Sequence, residues 1–417
     1  MPSSSTESSL GASAAAQEVS RLAGLKRVHA AMAWFRTHEP ELRQRQMELA
    51  TIPAPPFGEA ARAQWVGERF RELALEDVHI DSVGNVFGMR RGSDPQRLVA
   101  VTAHLDTVFS AGTPLNIRSE GDRLCGPGIS DNAAGVAGIL AIAAALQSAG
   151  IEHAASIVFV GNVGEEGEGD LRGMRHIFCE PRWNQAITST VVLDGAAIDT
   201  IVTQALGSKR FEVTVHGPGG HSWSDFGAPN PIVILARAIA RFSEMRLPGD
   251  PKTSCNVGVI GGGTSVNSIP ELATMRVDIR SSSVEEIQRV EQVLLESLDD
   301  ALAPYAAKSR RDGRGVNYEM RLIGSRPAAE LDPNARILQV IRAVDAHLGN
   351  KARVHRASTD ANIPLSLGGE AISIGAGGTG GGAHTLQEWY DPAGRDLGLK
   401  RVLLTVLALA GVPHHDG

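Results

Sequence analysis

Ile157–Asp170 reads IVFVGNVGEEGEGD: four consecutive apolar residues, then the adjacent pair Glu165 and Glu166 set among Gly161, Gly164, Gly167 and Gly169. A short continuous apolar run fits a strand buried on both faces, as in an α/β sheet. Similar runs recur at Leu98–Thr102, Val191–Leu193 and Ile201–Thr203, and they alternate with helical stretches, including the apolar helix after Asp131. This part of the chain reads as an α/β sandwich. The glycines around the acid pair let the backbone turn the two carboxylates toward different targets. One could bind a metal while the other takes a proton from water. The alternative is an acidic surface loop.

Working outward, the pattern changes at Gly207. Phe211, Val213 and Val215 alternate with polar residues, as do Met275, Val277 and Ile279, so these strands bury one face only. Helices are expected over about Pro231–Met245 and after Ser283, which stands in capping-box spacing with Glu286. The second carries an apolar stripe of Val284, Ile287, Val290, Leu294 and Leu298. Further strands fall near Asn256–Ile260 and Tyr318–Leu322. The order β-α-β-β-α-β predicts a ferredoxin-like domain. Buried character returns in AISIGAG, Ala371–Gly377. The expected division is therefore a disordered Ser/Ala-rich tail at 1–20, a catalytic domain at 21–206 and 323–417, and an inserted domain at 207–322.

Length agrees with that division, since 417 residues exceed what one core of roughly 250–300 residues holds. Net charge is −7, without a block of like charge, and aromatics make up 4%. Neither a nucleic-acid surface nor an anionic-membrane surface is favoured. The most apolar run, Ala133–Leu146, is too short to span a bilayer. Three scattered cysteines and the absence of a secretory signal point to the cytoplasm.

Other polar residues stand where strands would emit them. His104 and Asp106 follow the run Leu98–Thr102; an imidazole can ligate through one nitrogen while a carboxylate takes the proton of the other. Asp131 in GPGISDNAAG could cap the following helix or bridge two cations. Asp194 ends VVLDG, and His384 follows a glycine cluster in GGGAHTLQEW. Two histidines and three carboxylates without sulfur suit zinc, cobalt or manganese, in number enough for two ions sharing one carboxylate. GAGGTG at Gly375–Gly380, with Asp396 beyond it, imitates a dinucleotide fingerprint but lacks the helix that should follow. No G-x-S-x-G elbow occurs. Glycine is abundant, 46 residues or about 11% against roughly 7% in ordinary chains, and its clusters adjoin these polar residues.

HLD at 104–106, Asp131, Glu165–Glu166, Asp194 and His384 resemble, in order and spacing, the co-catalytic di-zinc superfamily of aminoacylase, carboxypeptidase G and peptidase T. STDANIPLSLG (Ser358–Gly368) and GGTSVNSIP (Gly262–Pro270) resemble peptidase T-like and dipeptidase-like members. The resemblance implies a mixed-sheet zinc-peptidase fold whose inserted domain is a lid and homodimer interface. It implies that Asp131 bridges two divalent metal ions, with His104 and Asp194 on one, Glu166 and His384 on the other. Asp106 would orient His104, and Glu165 would be the general base. His221 of GPGGHSW would stabilise the oxyanion from the partner subunit, with Asn267 and Arg280 receiving substrate. Asn132 and Trp223 depart from the usual pattern. The implied activity is cleavage of a peptide bond in di- or tripeptides by a hydroxide held between two metal ions, expected to be zinc with cobalt or manganese as alternatives. An N-acyl-amino-acid deacylase is the other reading of the same site. A non-hydrolytic binding module should lack a ligand or the base, and a metal-dependent isomerase or lyase is separable only by assay.

Overall fold

The computed structural model describes residues 4–305 and 315–413, with side chains from residue 11 onward. It contains two compact units, Met1–Ala205 with Glu330–Gly417, and Leu206–Ala329. The first is built on a mixed sheet. Its strands are β1 (Glu76–Ile80), β2 (Val86–Arg90), β3 (Asp94–His104), β4 (Ala155–Asn162), β5 (Ile187–Leu193) and β6 (Thr200–Ala205). The second unit contributes β7 (Gly207–His216), β8 (Thr253–Gly262), β9 (Leu272–Ser281) and β10 (Asn317–Arg326). The chain then supplies β11 (Arg353–Ala357) and β12 (Ala371–Ile374) to the large sheet.

That sheet runs β1-β2-β4-β3-β5-β12-β6, with β11 parallel to β6. Its centre, β4-β3-β5-β12, is parallel. Every residue of β4 is buried, and the helix Ala133–Ala149 is buried from Ala133 to Leu146. The continuous apolar runs at Leu98–Thr102, Ile157–Val160 and Val191–Leu193 therefore mark strands with both faces covered, whereas Ile201–Thr203 lies in a strand that buries alternate residues only. All four central strands end at one edge, so His104, the residues after Asn162, Asp194 and the loop after Ile374 gather there. In open α/β sheets that edge is the ligand crevice.

The smaller unit has strand order β8-β9-β7-β10, antiparallel throughout. The helices Pro231–Ser243 and Val284–Leu302 bury Ile234, Leu235, Ile287, Val290 and Leu294 in one core with Phe211, Val213, Met275 and Val277. This is the ferredoxin-like order expected from the alternation. Ser283 caps its helix, accepting the Glu286 N–H at 3.1 Å. Val284, expected on the apolar stripe, is instead exposed at the first helical position. The final strand runs to Arg326, and the larger unit resumes at Glu330 rather than at residue 323.

The expected disordered tail is a correction. Ser4–Gly24 is a helix lying against the helices Arg336–Leu348 and Arg395–Ala410, with Val19 and Leu22 buried. Arg21 ties it down by donating to the Val412 carbonyl at 2.8 Å. Alanine-rich sequence favours helix intrinsically, and a docked apolar edge is enough to hold it. The composition of the first twenty residues hides that edge because Val19 comes at their end and Leu22 lies beyond them.

Candidate metal centre

His104 is the last residue of β3 and is almost fully buried. Its Nδ1 donates to the backbone carbonyl of Asp106 at 3.0 Å. That leaves Nε2 facing carboxylates, 3.1 Å from Asp131 Oδ1 and 3.8 Å from Asp194 Oδ1. Asp106 thus orients the ring through its carbonyl, not through the carboxylate expected from sequence, whose Oδ1 stands 3.8 Å from Nδ1. The carboxylate has another task. It accepts the N–H of Glu165 at 3.0 Å and of Glu166 at 2.7 Å, clamping the acid pair against the end of β3. Both glutamates are buried, which removes the surface-loop reading.

Asp131 does not cap the helix that follows it. Asn132 does, its Oδ1 accepting from Gly135 N at 3.0 Å and Gly195 N at 2.9 Å. The Asp131 carboxylate is thereby released into the crevice. Its Oδ2 lies 3.1 Å from His384 Nε2, which is also 3.0 Å from Glu166 Oε1. His384 adopts φ 65°, uncommon for a residue with a side chain, in the hairpin between Thr379–Gly381 and Trp389–Asp391. That hairpin belongs to a small antiparallel sheet with Arg123–Cys125, which leads into the Asp131 loop.

Three donor groups result: His104 with Asp131 and Asp194, Asp131 with Glu166 and His384, and His104 with Glu165 and Glu166, the atoms of each within 4.8 Å of one another. Only nitrogen and oxygen are offered, a set that suits zinc, cobalt or manganese. Asp131 Oδ1 is buried without a hydrogen bond despite the nearby imidazole, an electron pair suited to a cation. The residues fit a pair of divalent ions.

Electrostatics point the same way. Burial alone would depress His104, but the carboxylates of Asp131 and Asp194 that face its Nε2 raise it well above an ordinary imidazole. The Asp131 hydrogen bond raises His384 to about 9 against the opposing effect of burial. Burial would raise Asp131, yet His104 and His384 hold it below the usual carboxylate range. Burial, then the Asp131 charge, pushes Glu166 up. The crevice is an anionic field seeking positive charge.

Glu388 escaped the sequence reading. It is fully buried, and its oxygens accept from Ser130 N and Asp131 N, both at 2.7 Å, and from Gly128 N at 2.8 Å. It lies four residues beyond His384, so one carboxylate straps the two ligand loops together. Burial raises it to about 7 even against those three donors. Glu388→Gln halves the accepting capacity and leaves one loop N–H short of a partner. It is expected to weaken metal affinity by about 10–100-fold, as supporting partners of ligands do elsewhere; competition with a chromophoric chelator measures this. Arg62 was missed too. It is buried, donates from Nη1 to the Leu105 carbonyl at 2.9 Å, and is lowered to about 10 by burial against the pull of Asp106 and Glu388. Gly128 explains one glycine of the cluster: at φ 71°, an added β-carbon would come 2.8 Å from Thr107.

In the smaller unit, His221 and Asn267 lie close together, because Gly220–His221 pairs with Ser268–Ile269 and Ser222 N donates to the Asn267 carbonyl at 3.0 Å. The backbone N–H of Trp223 and Ser224 donate to His221 Nδ1 at 3.1 and 3.4 Å, leaving Nε2 to carry the ring hydrogen outward. Arg280 is not with them. It stands near the other end of β9, its Nε donating to Asp278 at 2.7 Å.

Residues 100–407 match the family described as peptidase family M20/M25/M40. A succinyl-diaminopimelate desuccinylase of Corynebacterium glutamicum is 26% identical over 60% of this chain and 69% of that protein. The fold is that of a Staphylococcus aureus tripeptidase, with TM-score 0.73 and 21% identity over 89% of this chain and 98% of that one. It is likewise that of a Bacillus subtilis dinuclear metal-binding peptidase from the M20 family, with TM-score 0.67 and 16% identity over 91% and 100%.

Proposed function

The chain belongs to peptidase family M20/M25/M40 and is a hydrolase of that family, and from that premise we propose that it cleaves the peptide bond of di- or tripeptides at the crevice of the larger unit. The observation that carries this reading is the shared carboxylate: each oxygen of Asp131 meets a different histidine at 3.1 Å. His104 and Asp194 would hold one ion, Glu166 and His384 the other, with Asp131 between them. Zinc is the preferred pair, with cobalt or manganese as substitutes. When bound, two divalent ions supply a water ionised at neutral pH and an electrophile for the scissile carbonyl. Glu165, held by Asp106 through its N–H, takes the proton of the attacking water. It then returns that proton to the leaving nitrogen as the C–N bond breaks. His221 presents Nε2–H, a donor suited to a developing oxyanion. Asn267, next to the strand paired with Gly220–His221, and Arg280 offer amide and guanidinium groups to the substrate carboxylate.

The second reading, removal of an N-acyl group from an amino acid, is favoured by the match to the desuccinylase. A panel of di- and tripeptides beside N-acetyl and N-succinyl amino acids, assayed with zinc, cobalt and manganese, separates the two. Inactivity on all of them with metal bound would defeat both.

The smaller unit also supports a homodimer, with the lid role assigned to the same unit. Among the described residues β8 pairs on one side only, and Val259 and Ile260 on it are 53% and 58% exposed. The helix Pro231–Ser243 adds exposed Ile232 and Val233. An uncovered apolar edge strand is a site of strand addition, and antiparallel pairing of β8 with its own copy satisfies two-fold symmetry. Sedimentation should give twice the chain mass, and Val259→Lys with Ile260→Lys should give one. No described helix is long and apolar enough to cross a membrane. Three unpaired cysteines favour the cytoplasm.

A further inference from the structure

The turn within Thr51–Glu59 carries an anomaly that the metal centre does not explain. Phe57 has φ 71° and is 68% exposed. A bulky side chain at positive φ is strained, and such strain gathers at ligand contacts. Glycine would serve this turn at lower cost. The ring recovers little by burial, so its packing within the fold does not account for it.

Its setting is rigid. Gly58 N donates to the Pro55 carbonyl at 2.8 Å, closing the turn. The Arg172 guanidinium covers one face of the ring, 4.9 Å from its centroid. Arg172 is itself fixed by both oxygens of the buried Glu59, each at 2.7 Å. The stem of Arg172 passes directly over Gly164, where an added β-carbon would stand 2.6 Å from Cγ. Gly164 precedes Glu165. Thr107 N also donates to the Ala54 carbonyl at 2.8 Å, tying the turn to the chain just past Asp106. The next residue, Val108, is also exposed. The aromatic ring is thus tied through Arg172 to Gly164, the residue before the acid pair, and its turn is tied through Ala54 to Thr107, three residues past β3.

The geometry points to Phe57 as a specificity residue, its free face receiving the apolar side chain of the amino acid released on the amine side of the cleaved bond. This rests on the hydrolase reading and on Glu165 as the base. Glu165 returns its proton to the leaving nitrogen, so the leaving residue lies on the Glu165 side, to which Phe57 is tied through Arg172 over Gly164. Aromatic and branched aliphatic side chains gain from such a face, whereas charged ones lose hydration there.

The test uses the metal-loaded protein and the dipeptides Ala-Phe, Ala-Leu, Ala-Ala, Ala-Lys and Ala-Asp. The wild type is expected to favour Phe and Leu over Lys and Asp by about tenfold or more in kcat/KM. In Phe57→Gly the Ala-Phe to Ala-Ala ratio is expected to fall by about tenfold, chiefly through KM. Its Tm should hold or rise, because glycine takes φ 71° without strain. Phe57→Leu, which keeps an apolar face, should keep the preference for Ala-Leu. A wild-type profile that is flat or favours charged residues overturns the inference. So does Phe57→Gly lowering all five substrates by one factor, the mark of a merely structural role. Inactivity of the loaded wild type on these dipeptides and on N-acetyl amino acids instead defeats the hydrolase reading, and the inference with it.

Discussion

Glu165→Gln is expected to retain both metal ions and to lose turnover by about 10²–10⁴-fold, the usual contribution of a positioned general base. The amide matches the carboxylate in shape and keeps the backbone N–H that Asp106 holds at 3.0 Å. What it cannot do is accept a proton. Metal content by elemental analysis, read beside kcat, makes the result decisive, because Glu165 also falls within ligand distance of His104 and Glu166. A variant that loses an ion would make Glu165 a ligand. One that keeps both ions and near-native kcat would remove it from the chemistry.

Asp131→Ala is expected to release both ions together and to reduce activity to background. Asp131 belongs to two of the three donor groups, and its oxygens face His104 and His384 separately. Without it each ion keeps only two protein ligands, His104 with Asp194 or Glu166 with His384, and a zinc site with two protein ligands is a weak one. The fold should survive, since Asn132 provides the helix cap. Elemental analysis after dialysis and circular dichroism check the two halves of the claim. Retention of one tightly held ion would show that the carboxylate is not shared. In the intact protein the ions must displace protons from imidazoles held up by their carboxylates, His384 near 9. Affinity should therefore fall as pH is lowered.

Much of the fold was legible because burial imposes pattern. Strands covered on both faces require continuous apolar runs, which located β3, β4 and β5, whereas β6 buries only alternate residues. Strands covered on one face require alternation, which located β7 and β9 and marked the inserted unit. The donor residues were legible for a related reason: polar residues directly after buried strands have few places to go but the crevice. The short strands Arg123–Cys125 and Trp389–Asp391 left no such trace, being too brief for any period to show. The N-terminal helix was hidden because its apolar contacts are few and late.

Roles within the centre were a different matter. Whether Asp131 or Asn132 capped the helix could not be read from two adjacent residues that both cap well. That Asp106 works through its carbonyl on His104 and through its carboxylate on the acid pair depends on where β3 and the loop after β4 lie side by side. Glu388 is one glutamate in GGGAHTLQEW until the chain folds and three N–H groups of a loop more than two hundred and fifty residues earlier in sequence converge on it. The amino-acid sequence by itself determined the α/β and ferredoxin-like classes and the inventory of donors, because solvent exclusion is written into local order. Only the tertiary structure decided which residue caps the helix, which carboxylate is a strap and which is a clamp. Those assignments are set by hydrogen-bond directions at distances of about 3 Å, between residues that sequence order keeps far apart.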